Sequence, residues 1–246
     1  MRGAWSPSDR QSQQGRSRKA RSPSDDRSEQ TGDAGESAGV AGLAVCVFCA
    51  SARGLPEGYH RAARRLGREL ARRGHRLVYG GGDAGLMGEV ARAVHEHGGR
   101  VFGAIPRSLV ERELAYGPAD ELVVTETLRQ RKAEMDAHAD AFVALPGGYG
   151  TLEELLEVLT LRQLRLHDRP IVLLNTDGYY DPFLAMVRGM VDQGFVPAGD
   201  GRLFQVAAAP EEALDLVEAG VGRRAPPGGP PAEALAEDWT AELPAS

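Results

Sequence analysis

Lysine is almost missing from this chain. Lysine and arginine together number 29 among 246 residues, yet only Lys19 and Lys132 are lysines. Lys19 lies in a polar leader, so any Schiff-base chemistry in a folded domain would fall on Lys132 alone. Cysteine is as scarce. Cys46 and Cys49 are too few for a disulfide framework. They spell C-x-x-C, but both lie in the apolar run 43–49 and not at a helix start, where a thiol becomes reactive. Their expected role is that of small buried hydrophobes. No stretch approaches the roughly 18 apolar residues of a membrane span, and the first residues lack the apolar core of a secretory leader. A cytoplasmic protein without membrane contact is expected. No Gly-Lys-Ser/Thr follows either glycine loop, which argues against ATP hydrolysis. The histidines lack metal-ligand spacing: His95 and His97 have no matching acid or cysteine nearby in sequence, so neither a metal nor a cofactor is expected.

Charge is also lopsided. The net value of −6 and a pI near 5.6 give no bulk attraction to nucleic acid or anionic membrane. The apolar fraction, 42%, is low for a globular chain, and the deficit sits at the two ends. Residues 1–40 are rich in Ser, Arg, Asp, Gln and Gly, a composition that cannot offset the entropy of ordering. Their acids nearly balance their arginines, so they read as a solvated, disordered tail and not as an RNA-binding arm. Residues 222–246 read as a loose Pro/Gly-rich tail. Between them, 41–221 is long enough for one sizeable domain.

The domain is organised around A-F-V-A-L-P-G-G-Y-G-T-L-E-E-L-L-E-V-L-T at 141–160. Residues 141–145 are a short apolar run bounded by Pro146, the mark of a buried parallel strand. Gly147, Gly148 and Gly150 allow tight turns. Thr151 is expected to open a helix with Leu152, Leu155, Leu156 and Leu159 at helical spacing. Strand, glycine loop and helix together make a natural phosphate site, with free N–H groups at the positive end of a helix dipole.

The same alternation runs through the chain. Strands are expected at 43–49, 76–79, 100–105, 121–125, 141–145, 170–174 and 203–207, with helices between them. That pattern gives an α/β fold: a single doubly wound, Rossmann-like parallel sheet with helices on both faces. Ligands bind such sheets at the carboxyl ends of the strands. Ser51, the loop 80–88 and the loop 147–151 all follow strands, so three loops converge on one edge. Gly80-x-Gly82-x-x-Gly85 matches the dinucleotide fingerprint literally, but it follows the second strand and the next strand ends without the ribose-binding acid, so NAD is not the expected ligand.

Individual side chains admit more than one reading. Arg131 and Lys132 stand side by side, which favours anion binding. Thr151-x-x-Glu154 has the form of a capping box, in which Glu154 would only satisfy a backbone N–H. Yet Glu154 lies beside the phosphate loop and off the leucine face. Glu153 and Thr160 share one flank of the helix. Glu113 falls in an irregular segment, 106–120, where a carboxylate could reach inward.

Five segments resemble one family: V-F-C-A-S-A at 47–52, L-V-Y-G-G-G-D-A-G-L-M-G at 77–88, R-K-A-E-M at 131–135, P-G-G-Y-G-T-L-E-E at 146–154 and N-T-D-G-Y-Y-D at 175–181. The chain resembles the cytokinin riboside 5′-monophosphate phosphoribohydrolases, the LONELY GUY family, whose members often carry the name lysine decarboxylase. The resemblance covers about 43–219. It implies cleavage of the N-glycosidic bond of an N6-substituted adenosine monophosphate, a small-molecule partner, and a homodimer with the site near the interface. It implies that Arg131 and Glu154 are catalytic. The nucleotide contacts would fall on Glu113, Lys132, Gly147, Gly148, Tyr149, Gly150, Thr151, Leu152, Glu153 and Thr160. To these the loop after the first strand adds Ser51, and the second glycine loop adds Gly81, Gly82, Gly85, Met87 and Gly88. Two departures stand out: Leu128-Arg129 where the family has Met-His, and Ala50-Ser51-Ala52 where it has Gly-Ser-Ser. An AMP-like nucleotide-binding carrier without catalysis is the alternative.

Overall fold

A computed structural model describes residues 42–222, apart from 113, 198 and 200–202. The two expected tails therefore lie outside the described residues, except for Gly222, which closes the last helix.

Seven strands form one all-parallel sheet: β1 Ala44–Phe48, β2 Arg76–Tyr79, β3 Val101–Pro106, β4 Glu121–Thr125, β5 Ala141–Ala144, β6 Ile171–Leu174 and β7 Gln205–Ala207, in the order β4-β3-β2-β1-β5-β6-β7. The central strands are buried on both faces, which is why they read as unbroken apolar runs. Side chains alternate along β1. Val45 and Val47 join a core under α1 (Glu57–Arg72), α2 (Gly85–Glu96) and α7 (Pro210–Gly222). Ala44, Cys46 and Phe48 join a second core under α4 (Leu128–Ala137), α5 (Tyr149–Gln163) and α6 (Asp181–Asp192). Cys46 and Cys49 are both free and buried, one in each core.

The chain steps outward from β1 to β4, then returns to the middle at β5 and steps the other way. The reversal falls between β1 and β5, whose registers pair Val45 with Ala141 and Phe48 with Ala144. At such a switch point two neighbouring loops leave the sheet in opposite directions and open a crevice. The loops after β1 and β5 flank it.

The segment 106–120 is less irregular than its sequence suggests. It contains a short helix, α3 (Arg107–Val110), and Ala115 forms an antiparallel bridge with Gly82. Tyr116 N–H donates to the Gly81 carbonyl, and Asp83 N–H donates to that of Leu114. The segment is thereby stitched across the second glycine loop. His95 of α2 holds its far end, between the Tyr116 hydroxyl and the Asp120 carboxylate, each at 2.9 Å.

Candidate active site

Helix α5 begins at Tyr149, with Gly148 as its N-cap and no side chain capping it. Thr151 is therefore the third helical residue, not the cap. The capping-box reading of Thr151 and Glu154 is overturned: α5 starts two residues earlier than expected, because Gly148 has the extended φ/ψ of a cap. A true capping box occurs instead on α4, where the Thr127 hydroxyl accepts from Gln130 N–H and the Gln130 side chain accepts from Thr127 N–H. The residues that open α5, from Gly148 to Thr151, line the crevice at the positive end of the helix.

Gly147 has a packing reason. A Cβ there would strike the Thr151 side chain, so any other residue would push the loop off the helix. Two tyrosines hold the loop from behind. The Tyr179 hydroxyl donates to the Gly147 carbonyl, and Tyr180 donates to the Leu145 carbonyl at 2.7 Å. Both lie in the N-T-D-G-Y-Y-D segment, whose part in building the site the sequence reading did not draw out. Nothing local marks them, because their acceptors lie over thirty residues away.

With its cap role removed, Glu154 pairs across the crevice. Its Oε1 accepts from Arg131 Nη1 at 2.7 Å, and the two side chains are 8% and 13% exposed. Arg131 Nε reaches the carbonyls of Gly80 at 3.3 Å and Ala104 at 3.1 Å. The guanidinium is thus fixed between α4, the ends of β2 and β3, and α5. Burial raises the Glu154 carboxyl above its ordinary range, and Arg131 opposes that shift. A buried acid held by one cation is a common arrangement for a residue that must change charge state or stabilise charge at a reacting centre.

The crevice has a volume of about 800 Å³, within the usual range for ligand sites. Of the expected residues it brings together Ser51, Gly82, Met87, Arg131, Gly148, Tyr149, Gly150, Thr151 and Glu154. Others stand behind the wall. Gly85 has φ +57 and packs against the Ala50 and Ala52 carbonyls, while Gly81 lies on Ile105 and Ala104 and Gly88 on Asp83. The first amides of α2 are also taken: the Ala50 carbonyl accepts from Leu86 and Met87. The second glycine loop is therefore chiefly a support for the β1 loop. Lys132 lines a smaller hollow of about 230 Å³ between α4 and α5, which shares Glu154 with the crevice, and pairs with Glu153 and Glu157. Leu152 packs on the core. Thr160 sits in another hollow, against α6. Glu113 lies outside the described residues. The sequence reading missed Arg53, Ile105, Leu109, Arg112 and Leu114, all of which line the crevice. The last three belong to the stitched segment, and no local pattern aims them inward. Cys49 lines it too, with burial pushing its thiol up and leaving it protonated.

A family model described as "Possible lysine decarboxylase" matches residues 87–217. The chain is 51% identical over 172 residues to the cytokinin riboside 5′-monophosphate phosphoribohydrolase LOG of Oryza sativa subsp. japonica, covering 70% of this chain and 71% of that one. It is 49% identical over 175 residues to a cytokinin riboside 5′-monophosphate phosphoribohydrolase of Arabidopsis thaliana, covering 71% and 77%. Among solved structures it is similar to the Moco carrier protein of Chlamydomonas reinhardtii, with a TM-score of 0.57 and 23% identity over 74% of this chain and 99% of that one. The molybdenum cofactor binding protein of Rippkaea orientalis is similar too, at 0.56 and 20% over 73% and 98%. At these identities the two structures bear on the fold alone. The level and span of the sequence likeness show that this chain belongs to the LONELY GUY family, the one described as possible lysine decarboxylases.

Proposed function

We propose that the protein hydrolyses the N-glycosidic bond of N6-substituted adenosine 5′-monophosphates, releasing the free base and ribose 5-phosphate. The buried Arg131–Glu154 pair, standing between a phosphate cradle and an apolar wall, carries this reading.

The order of the strands supports one orientation of the substrate. The loops after β5 and β3 are three strand steps apart, about 14 Å at ordinary spacing. The 5′-phosphate rests on the opening amides of α5 beside Ser51. The base lies at the other end, against Met87, Ile105, Leu109 and Leu114. The ribose then spans the middle, over Glu154. As the C1′–N9 bond breaks, its electron pair leaves with the base and positive charge gathers on the ribose ring. The Glu154 carboxylate stabilises that charge and takes a proton from the water that attacks C1′. The departing base takes up one proton at N9 or a linked ring nitrogen, which balances the one that Glu154 received from the water and gives up again to base or solvent. Arg131 stays protonated throughout and is no proton donor. Anchored toward β2 and β3, it favours the ionised form of Glu154 against the effect of burial and offers charge to the departing base. Thr151, Tyr149, Gly150 and Gly148 serve as binding residues, and Gly147 and Gly82 shape their loops.

The decarboxylase name implies pyridoxal chemistry, and the residues do not fit it. That chemistry needs a lysine able to lose its proton. Burial pulls Lys132 down, but Glu153 and Glu157 outweigh it and the net shift is upward. Lys132 also faces a different hollow from the phosphate cradle.

The protein acts as a cytoplasmic homodimer in this reading. Its two free cysteines suit a reducing compartment. Helix α6 has no buried residue, and Leu156, Leu164, Leu166, Met186 and Phe195 are exposed around it and α5. Such a patch fits a second copy of this face. Among the described residues no helix is long and apolar enough to cross a membrane.

Incubation with AMP and with N6-isopentenyl-AMP, followed by chromatography of the free base, tests the activity. Base release, faster from the N6-substituted nucleotide, is expected. Binding of both without release of base would favour the carrier alternative.

A further inference from the structure

Three arginines line the crevice: Arg53, Arg112 and Arg131. Arg131 is committed to Glu154 and two carbonyls. Arg112 follows β3, at the base end. Arg53 follows β1, one strand step, about 5 Å, from the loop that opens α5. It makes no ion pair or side-chain hydrogen bond among the described residues.

The backbone before it is tied down by hydrogen bonds. The Ala50 N–H donates to the Pro146 carbonyl at 3.2 Å, tying the β1 loop directly to the phosphate loop. The Ala50 carbonyl accepts from Leu86 and Met87, and the loop lies flat on Gly85. Gly54, with φ +73, turns the chain away immediately after Arg53. Ser51 supplies the one hydroxyl of this loop, since Ala50 and Ala52 have none to offer.

We infer that Arg53 is a specificity-determining residue that clamps the 5′-phosphate from the side opposite the α5 amides, so that the enzyme selects nucleotides over nucleosides. This rests on the reading that the crevice takes a nucleoside 5′-monophosphate. A guanidinium forks onto two phosphate oxygens, a geometry that backbone amides at a helix start complement rather than duplicate.

The test compares the native protein with Arg53→Ala and Arg53→Lys on N6-isopentenyl-AMP and on N6-isopentenyladenosine. Loss of one charge-assisted contact raises KM for the nucleotide about tenfold to hundredfold, with kcat changed less than about threefold. Arg53→Lys recovers part of the loss, because a point charge replaces a fork. Nucleoside turnover stays unchanged. The salt dependence of KM also weakens in Arg53→Ala. An unchanged KM, or equal losses for nucleotide and nucleoside, overturns the clamp. Calorimetry with AMP and adenosine separates the clamp from the activity. If the native protein turns over nothing but binds AMP more tightly than Arg53→Ala does, the hydrolase reading fails and the clamp stands. If neither protein distinguishes AMP from adenosine, the clamp is overturned.

Discussion

In the proposed reaction Glu154 carries the chemistry, and its burial sets how it titrates. Its carboxyl titrates above the ordinary glutamate value of about 4.3, because burial disfavours its charge and Arg131 only partly offsets this. Cleavage needs the ionised form. The acid limb of the kcat profile should therefore have its midpoint above that of an exposed glutamate, and activity should fall as pH drops through it. An acid limb at or below the ordinary value would show that another group controls the rate. The raised pKa also means that ionised Glu154 costs the fold stability: the folded state is favoured below the unfolded pKa, and that contribution is lost as pH rises through the folded one. The sequence left Glu154 with two readings, capping or catalytic. They differ by where α5 starts, and glycine-rich boundaries carry little periodic signal. Glu113 falls outside the described residues.

Two elements set the pair in place, and each offers a measurement. Helix α4 brings Arg131 to the crevice, and Thr127 caps it. Thr127→Ala should cost about 1 kcal/mol in denaturant unfolding. A stability equal to the native protein's would remove the cap from the account. The segment after β6 braces the phosphate loop through Tyr179. Tyr179→Phe should cost about 1 kcal/mol of stability and raise KM for the nucleotide more than it lowers kcat, because the opening amides of α5 lose their alignment. A fall in kcat with KM unchanged would contradict that. The central strands were legible because both of their faces are buried, and β2 and the edge strand β4 have the bounds that their apolar runs predict. The segment 106–120 was not. Its bridge and its two backbone bonds to the glycine loop are long-range contacts, so its leucines read as loop residues while they line the crevice.

For the whole molecule, doubly wound topology explains why residues as far apart as Ser51, Arg131 and Glu154 meet: the switch point lies between β1 and β5, and each loop leaves a strand's carboxyl end. That convergence was readable from the alternation of elements alone. The outer face of α5 and α6 was harder to read. Leu156 belongs to the leucine pattern of α5 yet is 45% exposed, and Phe195 is 79% exposed. Thr160 lies in the hollow at this face, away from the phosphate cradle. An interface formed by this patch predicts that Met186→Glu combined with Phe195→Glu yields a monomer in analytical ultracentrifugation, while the unaltered protein sediments as a dimer. An unaltered protein that is monomeric, or a variant that stays dimeric, removes this face from the assembly.

The central claim is that a buried arginine–glutamate pair cleaves the glycosidic bond of a nucleotide held by its phosphate. Glu154→Gln keeps the side chain's size and leaves the α5 amides untouched. Base release from N6-isopentenyl-AMP and affinity for AMP, measured side by side on this variant, test the claim most directly. We predict that release falls by a factor of about 10³ or more while AMP affinity stays within about threefold of the unaltered protein. Turnover preserved in Glu154→Gln, with only the melting temperature lowered, would make Glu154 a structural residue and contradict the account.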